Sequence, residues 1–294
     1  MEQVGVLGGG GAVGDALLRR LAGSGRRVTV FSRRPVAGVP AGVEWRRLAV
    51  DKGSGGAASD VEAPSAIALW ICIAPIWVVE GYRALFESYG AQRIVALSST
   101  SRFVKGDSKD RAERDTAQRI AEGEERLTRW ASGRGVEWVI LRPTLVYGGG
   151  RDRNVAEIAR FVRRFGFFPL LGEASGLRQP VHAEDVASAC VAALGSTAPR
   201  NRFYTLSGGE TLAYREMVAR ICRATGRPAR MPRVPLWAFR LGVRGLRLLP
   251  RYRGWTPEMA ERMNRDLVFG HEEAARDLGF RPRAFRPTPA DVGG

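Results

Sequence analysis

Glycines recur near the start of the chain, between an apolar run at residues 4–6 and a helical pattern that begins at Asp15. Their spacing fits both G-x-x-G-x-x-G and G-x-G-x-x-G. A strand that ends in glycines turns tightly and lets a diphosphate approach the backbone, and the next helix offers free N–H groups and the positive end of its dipole. We therefore expect a nucleotide-phosphate site here, with a flexible turn as the alternative. The expected phosphate-binding residues are Gly8, Gly11, Ala12, Val13 and Gly14.

The second apolar run ends in Ser32-Arg33-Arg34, and no acidic residue lies between Asp15 and Glu44. A site that prefers NAD usually carries a carboxylate here, which accepts hydrogen bonds from the adenosine ribose and repels a 2′-phosphate. A serine and two guanidinium groups instead suit that phosphate. The corner therefore predicts NADP(H) in preference to NAD(H), and two solvated arginines are the alternative.

Composition limits the classes of protein to consider. The 294 residues are 45% apolar and have a formal charge of +16, carried by 43 arginines and three lysines. Basic proteins attract nucleic acid, anionic membranes and phosphorylated ligands, but no nucleic-acid motif accompanies the charge, so we expect no nucleic-acid partner. Residues 1–4 carry no signal-peptide features, and no apolar run reaches eighteen residues, which predicts a cytoplasmic protein.

The cysteines and histidines are too few and too scattered for a metal site. Cys72, Cys190 and Cys222 lie far apart in apolar or helical sequence, and the chain has two histidines, His182 and His271. This pattern is typical of reduced core cysteines. We therefore expect no metal.

Short apolar runs alternate with amphipathic ones, which predicts an α/β fold with a doubly wound parallel sheet. The run at residues 66–73 is apolar on both faces, as a central strand requires. After residue 206 the sequence turns to helices, prolines and arginines. We expect a nucleotide-binding domain at 1–206, with 151–177 as an excursion toward the substrate, and a smaller, mostly helical lid domain at 207–294. The predicted strands are 3–7, 27–31, 45–50, 66–73, 93–98, 138–142 and 202–206; the predicted helices are 14–24, 75–89, 110–133, 154–165, 183–194 and 214–225.

Several segments resemble, in order, the extended short-chain dehydrogenase/reductase family, which includes nucleotide-sugar epimerases and dehydratases. They are the glycine turn at 8–14, Ser98-Ser99-Thr100, the motif L-R-P-T-L-V-Y-G at 141–148, R-Q-P-V-H-A-E-D-V-A at 178–187 and F-Y-T-L-S-G at 203–208. The resemblance implies a Rossmann-type fold and a nicotinamide cofactor.

The resemblance also implies further cofactor contacts. Asp51 is expected beside the adenine amino group, and Ala74 and Pro75 beside the adenine ribose. Ser98, Pro143 and Thr144 are expected on the nicotinamide side.

The chain departs from the family at its acid/base pair. Catalytic members place a tyrosine and a lysine four residues apart on the helix after the Ser/Thr strand, and the lysine lowers the pKa of the tyrosine. None of the six tyrosines here has a lysine four residues later, and residues 112–130 contain neither type. If Glu125 is the glutamate that follows this pair in the family, the two positions hold Ala117 and Ala121.

Two functions from different classes stay open. In one, the chain is an atypical NADP(H)-dependent oxidoreductase or epimerase-like enzyme, in which Ser99 or Thr100 binds a substrate carbonyl and Lys109 or Lys105 is the general acid. In the other, it binds the cofactor without turnover, as a redox sensor or an accessory protein of a membrane complex. Loop lysines that are merely solvated would suit the second.

The substrate is expected to be a small anion, for example a nucleotide sugar. Arg178 occupies the position at which family members hold a diphosphate, and Arg151 and Asn154 follow the sixth strand closely enough to face the same cleft. His182 is expected to cap a helix and pack, and a homodimer is the default assembly for the family.

A basic segment follows at residues 227–253, with eight arginines, no acid and interleaved Trp, Phe and Leu residues. Within 234–253, arginines on one helical stripe and apolar residues elsewhere predict either a peripheral contact with an anionic membrane or a lid helix that buries its apolar face. The first alternative would place the protein at the inner face of the membrane.

Overall fold

A parallel sheet of seven strands forms the centre of the computed structural model. Its order is β11-β6-β5-β4-β1-β2-β3, and every neighbouring pair is parallel. The chain therefore winds outward from β1 in one direction and from β4 in the other. The described residues are 2–36, 38–48, 66–152, 154–195, 200–227, 230–235, 237 and 257–293. The strands of the sheet are β1 (Gln3–Leu7), β2 (Arg27–Ser32), β3 (Val43–Arg47), β4 (Leu69–Cys72), β5 (Arg93–Leu97), β6 (Glu137–Pro143) and β11 (Arg202–Leu206).

Helices cover both faces of this sheet, because the central strands are apolar on both sides. One face packs α1 (Ala12–Ala22) against α7 (Ala183–Gly195), with Leu17 and Cys190 fully buried. The other face is covered by α2 (Ile76–Val79), α3 (Arg83–Ser88) and α5 (Arg111–Gly133), around a fully buried Trp70. The predicted α/β fold with a doubly wound parallel sheet is confirmed.

A second apolar cluster lies beyond the sheet. It joins α6 (Val155–Phe165) to α8 (Tyr214–Ala224) around buried residues such as Val162 and Met217, and it includes Phe285 and Val292 from the end of the chain. Residues of the 151–177 excursion thus share a core with residues after 206. The division into domains at residue 206 stays a prediction.

Short elements complete the part of the chain that the structure describes. Strand β7 (Val146–Tyr147) pairs with β10 (Val181–His182), β8 (Leu170–Leu171) with β13 (Arg233–Val234), and β9 (Leu177–Arg178) with β12 (Leu212–Ala213). The remaining helices are α4 (Ser101–Val104), α9 (Pro257–Asn264) and α10 (Glu272–Leu278), and 3₁₀ turns lie at Glu80–Tyr82 and Ala290–Val292.

Two sequence predictions need correction at their ends. The helical pattern at 75–89 is two short helices, because the 3₁₀ turn that contains Gly81 separates them. The strand predicted at 66–73 is shorter, since the backbone before Leu69 bonds to the turn before β5 instead: the Ile67 N–H donates to the Tyr89 carbonyl. The glycine- and serine-rich stretch at 52–59 lies outside the described residues.

Candidate dinucleotide site at the carboxyl edge of the sheet

The glycine turn leaves β1 at the point where the direction of winding reverses between β1 and β4. Gly8 and Gly11 have φ angles of 82° and 92°, which side chains other than glycine rarely adopt. The Gly8 N–H donates to the Phe31 carbonyl at 2.8 Å, and the Ala74 N–H donates to the Leu7 carbonyl at 3.1 Å. In sheets of this type, ligands bind in the crevice outside the carboxyl ends of the strands at such a reversal.

Helix α1 begins directly on this turn, and its first N–H groups receive no side-chain cap. Gly14 lets the helix lie close to the turn, since a Cβ there would stand 2.2 Å from the Gly9 carbonyl oxygen. Added Cβ atoms at Gly10 and Gly11 would meet open space. Uncapped N–H groups, the helix dipole and an accessible backbone together fit the diphosphate of a dinucleotide.

The corner beyond β2 presents two cationic side chains. The Ser32 hydroxyl donates to the Arg34 carbonyl at 2.5 Å and accepts from Trp45 Nε1 at 2.8 Å, which fixes the backbone of the corner. Arg33 and Arg34 are exposed, and neither forms an ion pair with a described residue. Both guanidinium groups are therefore available to an anion. Asp51, which was expected beside the adenine, lies outside the described residues.

Ala74 and Pro75 lie across the crevice from this corner. A Cβ on Gly8 would stand 3.0 Å from the Ala74 nitrogen, and Pro75 precedes the first residue of α2. These two residues therefore line the opposite wall of the same crevice.

Two of the three hydroxyl groups after β5 donate hydrogen bonds within the protein. The Ser98 hydroxyl donates to Glu124 at 2.5 Å, and the Thr100 hydroxyl donates to the Pro143 carbonyl at 3.3 Å. Ser99 Oγ is half-buried and accepts from the Ser101 N–H at 3.1 Å, so its own proton has no acceptor among the described residues. Of the three, Ser99 is the one that can donate to a ligand.

Glu124 organises a buried ionic network that the sequence analysis missed. This residue of α5 is 1% exposed. It accepts from Arg142 Nε at 2.9 Å and Nη2 at 2.7 Å, and it also pairs with Arg102. The Arg142 guanidinium lies 3.9 Å from the ring centroid of Phe203. Burial opposes ionisation of Glu124, but the hydrogen bonds from Arg142 and Ser98 outweigh it and hold the Glu124 pKa below its usual value.

The network offers a second glutamate from which the acid/base positions can be counted. Glu125 is exposed and pairs with Arg129, whereas Glu124 faces the strands. Counting back from the inward-facing glutamate gives Thr116 and Ile120 in place of Ala117 and Ala121. Thr116 is half-buried and donates to the Ala112 carbonyl. A tyrosine and a lysine are absent at these positions under either count.

The two candidate lysines lie on the loop between α4 and α5. Lys105 Nζ is 3.8 Å from Glu113, a carboxylate that also pairs with Arg262 of α9. Lys109 is 79% exposed, and its Nζ is 3.9 Å from Glu261. Both lysines therefore join this loop to the C-terminal part of the chain, and a role for Lys109 as general acid stays a prediction.

The three expected substrate residues differ in their surroundings. Arg151 pairs with Asp15 in the first turn of α1, so its guanidinium lies beside the candidate diphosphate site. Asn154 is exposed and precedes α6. Arg178 is buried, and its Nη groups donate to the carbonyls of Leu177, Arg262 and Arg265. These bonds use three of the five guanidinium N–H donors and hold residues 262–265 in place. A contact between Arg178 and a substrate anion stays a prediction.

Thr144 and His182 position the backbone near the end of β6. Thr144 Oγ1 donates to the Gln179 carbonyl, while the Thr144 N–H donates to the Leu206 carbonyl at 3.0 Å. His182 Nδ1 accepts from the Glu184 N–H at 3.2 Å at the start of α7, and the His182 ring packs edge-on against Tyr147. The prediction that His182 caps and packs is confirmed.

No group of metal-ligating side chains occurs within the described residues. Among the same residues, no helix is both long and apolar enough to cross a bilayer.

Comparison with known proteins agrees with this geometry. Residues 79–206 match the model of the NAD dependent epimerase/dehydratase family. A UDP-glucose 4-epimerase of Vibrio cholerae is 28% identical over 121 residues, which are 41% of this chain and 37% of that protein. A 2-alkyl-3-oxoalkanoate reductase of Stenotrophomonas maltophilia (strain K279a) is 26% identical over 321 residues, covering 95% of this chain and 94% of the relative.

The fold is also that of solved epimerases. A UDP-glucuronic acid 4-epimerase from Bacillus cereus in complex with NAD has a TM-score of 0.70 at 13% identity, over 99% of this chain and 95% of that one. The predicted resemblance to the epimerase/dehydratase group is thereby confirmed.

Proposed function

From the epimerase/dehydratase domain at residues 79–206, we propose that this chain binds NADP(H) along the carboxyl edge of its sheet and acts as an atypical oxidoreductase. The observation that carries the proposal is the uncapped start of α1 on a glycine turn between β1 and β4. That arrangement offers backbone N–H groups and a positive dipole end to a diphosphate.

The preference for NADP(H) depends on the corner after β2. Arg33 and Arg34 are exposed without ion pairs to described residues, and no acidic residue lies between Asp15 and Glu44. A 2′-phosphate would gain charge-assisted hydrogen bonds there and would meet no like charge. The same corner offers the two free ribose hydroxyls of NAD(H) no carboxylate acceptor.

Turnover has to use other groups than a tyrosine and a lysine on α5. The bound nicotinamide would supply or accept the hydride. Ser99, with its free hydroxyl proton, donates to the substrate oxygen and orients it, while Thr100 holds β5 against β6 through Pro143. The proton that completes the reduction comes from Lys109 or Lys105 in this proposal.

The substrate that best suits this chain is a small anion. The names of its relatives include a UDP-glucose epimerase and an alkyl-oxoalkanoate reductase, and both substrate types are anionic. The proposed contacts to the substrate are Arg151, which pairs with Asp15 beside the turn, and the exposed Asn154.

Cofactor binding without turnover is the second candidate, and one observation favours it. The positions expected to carry the acid/base pair hold Ala117 and Ala121 when counted from Glu125, and Thr116 and Ile120 when counted from Glu124. Neither count gives a tyrosine or a lysine. A chain that serves as a redox sensor or an accessory subunit would need the glycine turn but not the proton relay. The membrane contact expected through 234–253 falls largely outside the described residues and, like a homodimer, stays a prediction.

The test separates binding from chemistry. Fluorescence titration should give tighter binding of NADPH than of NADH. Gly10→Asp should abolish the binding of both cofactors, because position 10 faces open space beside the turn and the new carboxylate would repel the diphosphate. Gly133→Asp, also in open space but at the far end of α5, should bind as wild type does.

Turnover is then measured as NADPH oxidation with a 2-alkyl-3-oxoalkanoate, and as epimerisation of UDP-glucose. Loss of activity in Ser99→Ala with unchanged NADPH affinity would support the enzyme. NADPH binding with no turnover of either substrate class would favour the second candidate, a cofactor-binding protein without turnover. If neither cofactor bound, both candidate functions would be refuted.

A further inference from the structure

Helix α6 carries an aromatic face that the second core does not use. Its inner side, including Ile158 and Val162, is buried. On the outer side, Phe161 and Phe165 stand one turn apart, with ring centroids separated by 4.6 Å. Gly166, at φ 76°, ends the helix and turns the chain so that the Phe167 ring meets Phe161 edge-on at 5.8 Å. We refer to Phe161, Phe165 and Phe167 as the aromatic surface.

The aromatic surface is unusually open to solvent. Phe165 is 42% exposed and Phe167 38%. Single exposed apolar residues are common, but adjacent ones that form a patch mark interaction sites. The other large apolar side chains with comparable exposure in the described residues are Phe103, Trp237 and Val268.

Positive charge borders these rings. Residues 158–172 contain Arg160, Arg163 and Arg164 and no acidic residue. Arg164 is exposed, lies 5.5 Å from the ring centroid of Phe165 and has no ion pair with a described residue. Arg160 reaches Glu157 at 4.0 Å, and Arg163 donates to the Val292 carbonyl at 2.8 Å.

The backbone brings further arginines to the same side. The Phe168 N–H donates to the Arg230 carbonyl at 3.0 Å, and β13 then pairs with β8. Arg230 is exposed and has no ion pair with the described residues, whereas Arg233 reaches Glu173 at 3.4 Å. Trp237, 68% exposed, follows this strand.

We propose that the aromatic surface is an interfacial binding site for an anionic lipid bilayer, in which the phenylalanine rings enter the acyl boundary and Arg164 and Arg230 contact headgroup phosphates. Exposed apolar rings near two arginines that form no ion pair with described residues match the layered chemistry of such a membrane surface. A second copy of the chain fits less well, because a twofold interface would place these arginines opposite one another. The inference is independent of cofactor binding and of turnover.

Vesicle sedimentation of the full chain tests the proposal. Wild type should bind vesicles with about one third phosphatidylglycerol and should not bind pure phosphatidylcholine, because headgroup charge supplies part of the affinity. Binding should weaken in about 0.5 M NaCl, where exposed charges are screened. The double variant Phe165→Ser/Phe167→Ser should lose about tenfold or more in affinity, since it removes the rings that insert. Arg164→Glu should lose a similar amount.

Matched controls come from elsewhere on the surface. Phe103→Ser removes a phenylalanine that is 50% exposed, and Arg119→Glu reverses an exposed arginine on α5. Both should bind vesicles as wild type does. Circular dichroism and NADPH titration check that each variant is folded.

Three results would overturn the proposal. They are wild type that fails to bind anionic vesicles at low salt, a double variant that binds as well as wild type, and a wild-type dimer that the double variant converts to monomer. The last result would show that the rings join two copies of the chain.

Discussion

At the scale of residues, the proposed preference for NADP(H) depends on two arginines after β2, Arg33 and Arg34. Arg33→Ala and Arg34→Ala should each weaken NADPH binding by about tenfold, the loss expected for one charge-assisted contact to the 2′-phosphate. NADH lacks that phosphate, so its affinity should change little. Fluorescence titration with both cofactors measures the two effects.

Arg26→Ala is a suitable control for those variants, because Arg26 stands before β2, at the opposite end of the strand, and pairs with Glu2. It should leave both affinities unchanged. Equal small losses for NADPH and NADH in Arg33→Ala and Arg34→Ala would instead show that both arginines are solvated and that the corner does not select NADP(H).

Glu124 is the residue on which the ends of β5 and β6 depend. Glu124→Gln should lower the free energy of unfolding by about 3 kcal/mol, because it leaves the guanidinium of Arg142, whose side chain is 12% exposed, without its charged partner. Glu125→Gln, one position along, should cost less than about 0.5 kcal/mol, since that side chain is exposed. Urea unfolding of the two variants compares them directly, and similar losses in both would contradict the network's importance.

The pattern that identifies Glu124 is present in the sequence. Ala117, Ile120, Leu127 and Ala131 of α5 are buried, and their spacing places position 124 on the same stripe. A glutamate on an apolar stripe, as at positions 113 and 124, indicates a cationic partner. Its arginine partners could not be assigned from the sequence, because in a chain with 43 arginines each one has many possible neighbours.

At the scale of elements, the glycine turn and α1 were predicted well because the signals are local. Gly8 and Gly11 are needed for their positive φ angles, and Gly14 for the close contact between helix and turn, so their spacing is visible in the sequence. Helix α1 begins two residues earlier than predicted. Arg178 is the opposite case. Its place in a motif predicts an anion contact, which stays a prediction, but no local pattern predicted its hydrogen bonds to carbonyls of residues 262 and 265, more than eighty positions along the chain.

The 3₁₀ turn near the chain's end is held by one carboxylate. Asp291 accepts from His182 Nε2 at 3.0 Å, and from the Thr288 N–H and hydroxyl at 2.9 and 2.7 Å. Because His182 Nδ1 accepts from the Glu184 N–H, its proton lies on Nε2 and points at Asp291. Burial works against the charge, yet these hydrogen bonds lower the pKa of Asp291 to about 2.

The pKa of Asp291 is lower in the folded protein than in the unfolded chain, where it is about 4. Its charge therefore stabilises the fold above about pH 4, and this stabilisation is lost as the pH falls toward about 2. Asp291→Asn should therefore lower the free energy of unfolding by about 1–2 kcal/mol at neutral pH. The gap between variant and wild type should shrink below about pH 4. Urea unfolding across this range measures it, with Glu122→Gln as an exposed control. A gap that is constant with pH would contradict the role of the charge.

At the scale of the whole molecule, the alternation of strands and helices was enough to predict the sheet. The hydrophobic periodicity that identifies each strand or helix lies within that element's own sequence. The contacts that hold the rest of the chain against the sheet join residues far apart in the sequence. Arg151 reaches Asp15, and Arg262 reaches Glu113, across separations of 136 and 149 residues. No local pattern reports such pairs, so the placement of the C-terminal part over the α4–α5 loop came from the structure alone.

Cofactor binding should stabilise the entire fold, because the glycine turn, the β2 corner and the end of β6 come from separate parts of one cooperative sheet. A ligand that binds the native state alone adds about 2.7 kcal/mol at a hundred times its Kd. For a chain of this size that corresponds to a rise of several degrees in Tm, about 5 °C. Differential scanning fluorimetry with NADPH should show the rise in wild type and in Gly133→Asp, and no rise in Gly10→Asp. NADH should give a smaller shift at the same concentration, since it lacks the 2′-phosphate that we propose Arg33 and Arg34 contact. A Tm that neither cofactor changes, in folded wild-type protein at millimolar concentration, would contradict dinucleotide binding at this edge of the sheet.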